Sequence, residues 1–153
     1  MTTLEVSRLI KAPPEAVFAV FADLHHAAER IQGISALEVL TPGPVGQGTR
    51  WRETRTMFGK DATEEMTINE FDPPRGYKVE AASHGCSYHS EFRFTSEGDA
   101  TRATMLFRGE AHSLLAKIMM FLMGSMMRKS TCKMMDADMA DLQRFLEEGG
   151  RAD

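Results

Sequence analysis

The feature that most constrains the fold is a long stretch of alternating apolar and polar residues, followed by a long apolar segment. Between residues 35 and 107 the hydrophobic period is two, and turn-forming residues interrupt it at 41–48, 59–61, 72–76 and 96–99. The alternation at 77–81 and that at 88–94 belong to two separate strands. A period of two predicts strands with one buried face, and short breaks predict antiparallel neighbours. The stretch therefore predicts a meander of six strands.

The residues before this meander predict one more strand and two short helices. Residues 4–10 alternate in polarity, which predicts a first strand that ends at Pro13-Pro14. A short amphipathic helix is expected at 15–21, because proline is favoured in a first helical turn. A second short helix is predicted at 25–31, with Asp23 as its N-cap.

A methionine-rich helix is predicted near the carboxyl terminus. Eight of the twelve methionines lie between Met119 and Met139, and methionine fills irregular apolar space, either in a plain core or against a ligand. Ser113 is the predicted N-cap, Gly149-Gly150 the predicted end, and Gly124 the predicted site of a kink or break. The later half has one apolar face, formed at spacings of four, three and four by Met135, Met139, Leu142 and Leu146.

This order of elements predicts an α+β fold. A curved, seven-stranded antiparallel sheet is expected to wrap around the long C-terminal helix, with the two short helices between strands 1 and 2. The length of 153 residues suits one domain, predicted at 1–148 and followed by a tail at 149–153.

Composition and charge exclude several classes of partner. The net charge of −4 offers no general attraction to phosphate backbones, so no nucleic acid partner is predicted. The first residues lack a secretion signal, which predicts a cytoplasmic protein with reduced Cys86 and Cys132. The apolar stretch at 114–127 is shorter than the roughly 20 residues that span a bilayer. Stable membrane insertion is not expected, whereas transient membrane contact and a monomeric or homodimeric state stay open.

Four segments, in this order along the chain, resemble one superfamily. They are residues 10–18 (IKAPPEAVF), 45–51 (VGQGTRW), 69–75 (NEFDPPR) and 138–147 (DMADLQRFLE). Together they resemble the helix-grip superfamily known as SRPBCC, which includes START lipid-transfer domains, polyketide cyclases/dehydrases, birch-pollen-allergen-like proteins and coenzyme-Q-binding proteins. The resemblance implies a helix-grip fold with a cavity between sheet and helix. The chain departs from the pattern at His25-His26, where many relatives carry an aromatic residue.

The candidate ligand-binding residues share inward-facing positions on the predicted strands and on the terminal helix. They are Trp51, Glu53, Arg55, Met57, Tyr88, Phe92, Met105, Phe107, Met135 and Met139. Residues two apart on a strand point to the same side, so Glu53 and Arg55 belong with Trp51. The pair is interpreted in three ways: a polar anchor or acid–base group for a ligand, a structural ion pair near the rim, or a pair that faces solvent.

Other motifs do not predict a metal or cofactor. Cys86 and His89 have opposite parity on a strand and cannot meet one metal ion there. The glycine loop at 43–48 joins two strands, whereas a phosphate loop leads into a helix. No catalytic residue is assigned and no cofactor is predicted. The function predicted is binding of a small hydrophobic molecule such as a lipid, polyketide or isoprenoid. Polyketide cyclase/dehydrase chemistry, a lipid or coenzyme-Q-type carrier, and a stress or assembly factor with a vestigial cavity are the alternatives.

Overall fold

The computed structural model describes residues 3–57, 59–83 and 85–149, with Met57 and Gly149 described by their backbone alone. The strands are β1 (Thr3–Ile10), β2 (Ile34–Val39), β3 (Arg50–Met57), β4 (Lys60–Asp72), β5 (Gly76–Ser83), β6 (Cys86–Glu97) and β7 (Ala100–Ala111). The helices are α1 (Pro14–Phe21), α2 (Ala27–Arg30) and α3 (Leu114–Arg144). A 3-10 turn (Leu24–His26) precedes α2, and a π-helical turn (Phe145–Gly149) follows α3.

The strands form one antiparallel sheet in the order β1-β7-β6-β5-β4-β3-β2. Strands β2 to β6 each pair with the next strand along the chain, as alternating segments with short turns predict. Strand β1 instead pairs along its whole length with β7, from Thr3 opposite Arg108 to Ile10 opposite Thr101. The predicted α+β helix-grip architecture, with seven strands and two short helices between β1 and β2, is confirmed.

The core is formed where α1 and the end of α3 meet the sheet. Phe18 of α1 lies edge-on to three aromatic rings, with centroids 5.2 Å from Phe71, 5.8 Å from Tyr77 and 5.7 Å from Phe94. Edge-to-face pairs of this kind add to the stabilisation that apolar burial supplies. This cluster packs α1 against β4, β5 and β6.

Helix α3 confirms one prediction about its ends and contradicts another about its middle. Ser113 is the N-cap, since its hydroxyl oxygen accepts a hydrogen bond from the backbone N–H of Ala116. Of the kink or break predicted at Gly124, the break is wrong, because α3 continues through it without interruption, and the kink stays a prediction. Among the described residues, no helix combines the length and apolar character that crossing a membrane requires.

The predicted side-chain cap at Asp23 is also wrong. Asp23 precedes the 3-10 turn but makes no capping hydrogen bond. Its carboxylate lies 2.8 Å from Nδ1 of His26 and 3.0 Å from a guanidinium nitrogen of Arg30. The Asp23 carboxylate is therefore bound by the side chains of His26 and Arg30 and not by a backbone N–H group.

Candidate functional site

The face of the sheet that looks toward the helices consists of rows of cross-strand neighbours. One row contains Trp51, Met66, Ala81, Tyr88 and Gly109. The next row contains Ile68, Val79, Ser90, Phe107 and Leu4. A third row contains Phe71, Tyr77, Phe92, Met105 and Val6. The period of two in the sequence places these side chains on one face.

Burial differs between two parts of this face. Ile68, Tyr77 and Val79 belong to the closed core. Eleven members of these rows are only partly buried, and we call five of them the open region: Met66, Ala81, Tyr88, Ser90 and Phe107. Met120 of α3 lies over this region, since a Cβ atom on Gly109 would stand 3.1 Å from the Met120 Cε atom. The first half of α3 therefore lies over the β7 side of the open region, and the side chains near it keep some accessible surface.

Tyr88 supplies the phenol of the open region. Its ring is stacked on that of Phe107, with centroids 5.8 Å apart and an angle of 14° between the planes. Burial, together with the neighbouring Cys86 and Glu64, raises the pKa of Tyr88 to about 12. The phenol is therefore protonated at neutral pH and can donate a hydrogen bond.

A second polar group lies deeper and joins the sheet to α3. The Arg55 Nε atom is 2.7 Å from Glu53 Oε2, and Arg55 Nη2 is 2.6 Å from Asp138 Oδ2. A further hydrogen bond of 3.2 Å joins Arg55 Nη1 to Asp138 Oδ1. The indole N–H of Trp51 donates to Glu53 Oε1 at 3.3 Å. We call Glu53, Arg55 and Asp138 the charged triad.

The triad keeps one cation between two anions in a mostly buried place. Burial acts to lower the pKa of Arg55, but the hydrogen bonds and charges of Asp138 and Glu53 outweigh it and raise that pKa. Burial raises the pKa of Asp138, against the opposing effect of Arg55. Burial and the Glu53 charge likewise raise the pKa of Tyr77, whose hydroxyl donates to the Phe21 carbonyl oxygen at 3.0 Å. Arg55 therefore stays charged, and its donors are directed to protein carboxylates.

The predicted candidate residues fall into three groups. Tyr88, Phe92, Met105 and Phe107 lie together on β6 and β7, within the three rows. Trp51, Glu53 and Arg55 are largely buried, three to four strands away, so the interpretation in which the Glu53–Arg55 pair faces solvent is wrong. Met135 and Met139 are each only 1% exposed, which is the environment of enclosed core residues. The Met57 side chain lies outside the described residues.

Two residues of the site are missed by the sequence analysis. Asp138 is assigned there only to a closing helix, although it lies three residues after Met135 and four before Leu142, on the apolar face. A carboxylate on such a face signals a buried partner, and Arg55 is that partner. Tyr77 is assigned only to a strand. Its alternation with Val79 places it inward, but nothing in the sequence indicates that its hydroxyl bonds to α1.

A separate surface cleft of about 620 Å³ lies between α2 and the end of α3. It is lined by His26, Glu29, Arg30, Asp141, Arg144, Phe145 and Glu148. Most of these side chains are charged, and Arg30 stacks over the Phe145 ring at 3.9 Å. This cleft lacks the apolar lining that a hydrophobic ligand needs.

Comparison with known proteins identifies the class. The family model described as polyketide cyclase / dehydrase and lipid transport matches residues 1–147. The chain therefore belongs to this family, within the SRPBCC superfamily. Proteins of this superfamily typically bind hydrophobic ligands, and some relatives are polyketide cyclases. No curated protein sequence matches the chain.

Solved structures agree on the fold. The protein TTHA0849 from Thermus thermophilus is 21% identical over 95% of this chain and 97% of its own, with a TM-score of 0.80. A START superfamily protein from Mycobacterium smegmatis is 12% identical over 95% of this chain and 97% of its own, with a TM-score of 0.78. The Zhui aromatase/cyclase from Streptomyces sp. R1128 is 17% identical over 97% and 98%, with a TM-score of 0.73. At such low identity these likenesses establish the fold alone.

Proposed function

We propose that the protein binds a small hydrophobic molecule in the open region, between the sheet and the first half of α3. The observation that carries the proposal is the partial exposure of inward-facing side chains, among them Ser90 and Phe107, beside a closed core that contains Ile68, Tyr77 and Val79. A filled core would leave such residues enclosed. A lining of apolar side chains with few polar groups is the usual composition of a ligand site.

The residues that line the open region also favour a ligand with one polar end. Tyr88 carries a protonated phenol, and Ser90 adds a hydroxyl two residues further along β6. A carbonyl or hydroxyl oxygen on the ligand would accept a hydrogen bond from Tyr88 while an apolar body contacts Phe107 and Met66. The charged triad is not needed for this contact, because Arg55 is already bound to two carboxylates.

The test is to fill the open region with one large side chain. Ser90→Phe places a ring in the middle of the region, and Ser7→Phe places the same ring on an exposed position of β1. Each protein is titrated with the neutral fluorophore N-phenyl-1-naphthylamine, and circular dichroism checks that both variants are folded. We expect the fluorophore to bind saturably to the parent and to Ser7→Phe. We expect Ser90→Phe to lose at least about tenfold in affinity, because the added ring fills the space that the fluorophore would occupy. Equal affinity of folded Ser90→Phe and the parent would contradict the proposal.

Native mass spectrometry of the protein purified from its own host identifies the ligand class. A co-purified mass with a long apolar chain is expected in the parent and absent from Ser90→Phe. A protein that carries no small molecule and does not bind the fluorophore would argue for a vestigial cavity. The assembly-factor alternative also predicts an exposed apolar patch, which α3 has, but it predicts a tightly filled interior, which the partial exposure of Ser90 and Phe107 argues against.

Catalysis on the bound molecule is the second candidate. The observation that favours it is the grouping of Tyr88 with Cys86 and Glu64 in one ionisable cluster. A phenol that stays protonated can donate a hydrogen bond to a carbonyl oxygen and stabilise the negative charge that develops there as a carbon–carbon bond forms or water leaves. Tyr88→Phe should then keep fluorophore affinity but abolish conversion of a poly-β-ketone substrate, followed by absorbance. A carrier would show no conversion with either protein.

A further inference from the structure

The first half of α3 exposes an unusual amount of apolar surface. Of the ten large hydrophobic residues that are exposed in the described part of the chain, nine lie on α3 between residues 114 and 127, and we call this range the apolar segment. Leu115 is 72% exposed, Phe121 87% and Leu122 71%. Exposed apolar patches of this size mark interaction sites.

The apolar segment continues into a basic one on the same helix. Between residues 113 and 135 there are four cations, Lys117, Arg128, Lys129 and Lys133, and no acidic residue, in a chain whose net charge is −4. None of these four side chains forms an ion pair with any described residue. The helix therefore presents uncompensated positive charge next to exposed hydrocarbon.

The helical period places two of the exposed leucines and two of the lysines on one side. Lys129 follows Leu122 by seven residues, and Lys133 follows Leu115 by eighteen, which are two and five turns at about 3.6 residues per turn. Met120 lies on a different side, toward Gly109 of the sheet. The outward side of α3 is thus apolar along its first turns and basic along the next ones.

We propose that this side of α3 docks on the interface of an anionic lipid bilayer. An apolar face that continues into lysine and arginine is typical of helices that lie in the headgroup region. The apolar segment is about 21 Å long at 1.5 Å per residue, which suits a helix lying in the interface and is shorter than a bilayer core of about 30 Å. A second copy of the chain fits less well, because a two-fold contact on this face would bring like charges together.

Docking would place the cover of the open region against lipid. The inward side of the same helix carries Met120, which lies over Gly109 and beside Tyr88. A hydrophobic molecule could therefore pass between bilayer and protein without crossing water. The membrane contact goes beyond the proposed ligand binding, and it is tested with vesicles alone, so either proposal can fail independently.

The test is co-sedimentation with vesicles of phosphatidylcholine alone and of phosphatidylcholine with about 30% phosphatidylglycerol, the anionic component. The parent is expected to bind the anionic vesicles, and binding should fall when salt is raised from about 0.05 M to about 0.5 M. The triple variant Leu115→Ser/Phe121→Ser/Leu122→Ser should lose at least about tenfold in partition, because burial of these side chains drives insertion. Arg128→Gln/Lys129→Gln/Lys133→Gln should lose the preference for anionic vesicles.

Leu9→Ser is the matched control, because Leu9 is an exposed hydrophobic residue on β1, outside the apolar segment. Its vesicle binding should equal that of the parent. A parent that does not bind anionic vesicles, or a triple serine variant that binds like the parent, would overturn the proposal. A third result would also overturn the proposal: light scattering shows that the parent is a dimer and the triple serine variant a monomer, and neither binds vesicles. The outward side of α3 would then bind a second copy of the chain.

Discussion

Arg55 on β3 and Asp138 on α3 form a two-pronged ion pair across 83 residues of sequence, with contacts of 2.6 and 3.2 Å. Each side chain is only 15% exposed. The pair is one of the few polar links between the sheet and the helix it holds, so removing one partner leaves a charge in a poorly solvated place.

Asp138→Ala is accordingly expected to lower the free energy of unfolding by about 3 kcal/mol, as for other broken buried pairs. Asp136→Ala is the matched control on the same helix, because Asp136 binds Arg8 at 2.9 Å but is 49% exposed. The control should lose about 1 kcal/mol or less. Urea unfolding of both variants measures the difference. Equal losses of unfolding free energy would show that the buried Arg55–Asp138 pair stabilises the protein no more than the exposed Arg8–Asp136 pair does.

Tyr77→Phe should destabilise the protein by about 1–3 kcal/mol, because it leaves the buried carbonyl oxygen of Phe21 without its hydrogen bond. Tyr88→Phe should cost less, since Tyr88 is only partly buried. Urea unfolding followed by circular dichroism compares the two. A larger loss for Tyr88→Phe would mean that the open region is better packed than its exposure indicates.

The two tyrosines should titrate late in the folded protein. Burial raises the pKa of Tyr88 from 10.0 to about 12 and that of Tyr77 further. Ultraviolet titration should therefore show well under half of the tyrosine ionised at pH 10.0 in the folded protein, and about half in urea, where the ordinary pKa applies.

The same shift has a consequence for stability. A group with a raised pKa in the folded state stabilises it fully below its unfolded pKa, and that contribution is lost as pH rises through the folded value. Stability should therefore fall between pH 10 and pH 12. Tyr88→Phe should remove part of that fall. An unchanged fall in the variant would assign it entirely to Tyr77 or to other groups.

Gly124→Ala should raise the free energy of unfolding by about 1 kcal/mol, since alanine is the better helix former. The helix is continuous at this position, and an added Cβ atom would meet nothing within 4 Å. Gly109→Ala is the contrasting variant, because its Cβ atom would lie 3.1 Å from Met120. Thermal unfolding should show opposite signs for the two. A destabilised Gly124→Ala would mean that this helix bends in solution.

Much of the fold could be predicted because its determinants are local. The period of two places Tyr88, Phe92 and Phe107 on one face, and the paired structure keeps them there. The break expected at Gly124 does not occur, because one unfavourable residue costs only about 1 kcal/mol against the hydrogen bonds of a helix of 31 residues. The low helix propensity of a single glycine is therefore too small an effect to break the helix at residue 124.

The candidate site was less predictable because it depends on contacts between distant segments. Whether Arg55 faces inward depends on Asp138, and no pattern within β3 contains that information. The burial of Met139 depends on how closely α3 approaches the sheet, which helical spacing does not specify. The sequence therefore indicates which residues share a face, but the space left between two faces is a property of the assembled core.

The pairing of β1 with β7 also determines the order in which the chain can assemble. Every other strand meets a neighbour that is close in sequence, whereas β1 must wait until residues near 101–108 exist. Contacts at such separation are slow to form, because a long loop must close first. On the ribosome, β1 would remain without its partner until β7 had emerged, so the chain carries an unpaired strand throughout most of its synthesis.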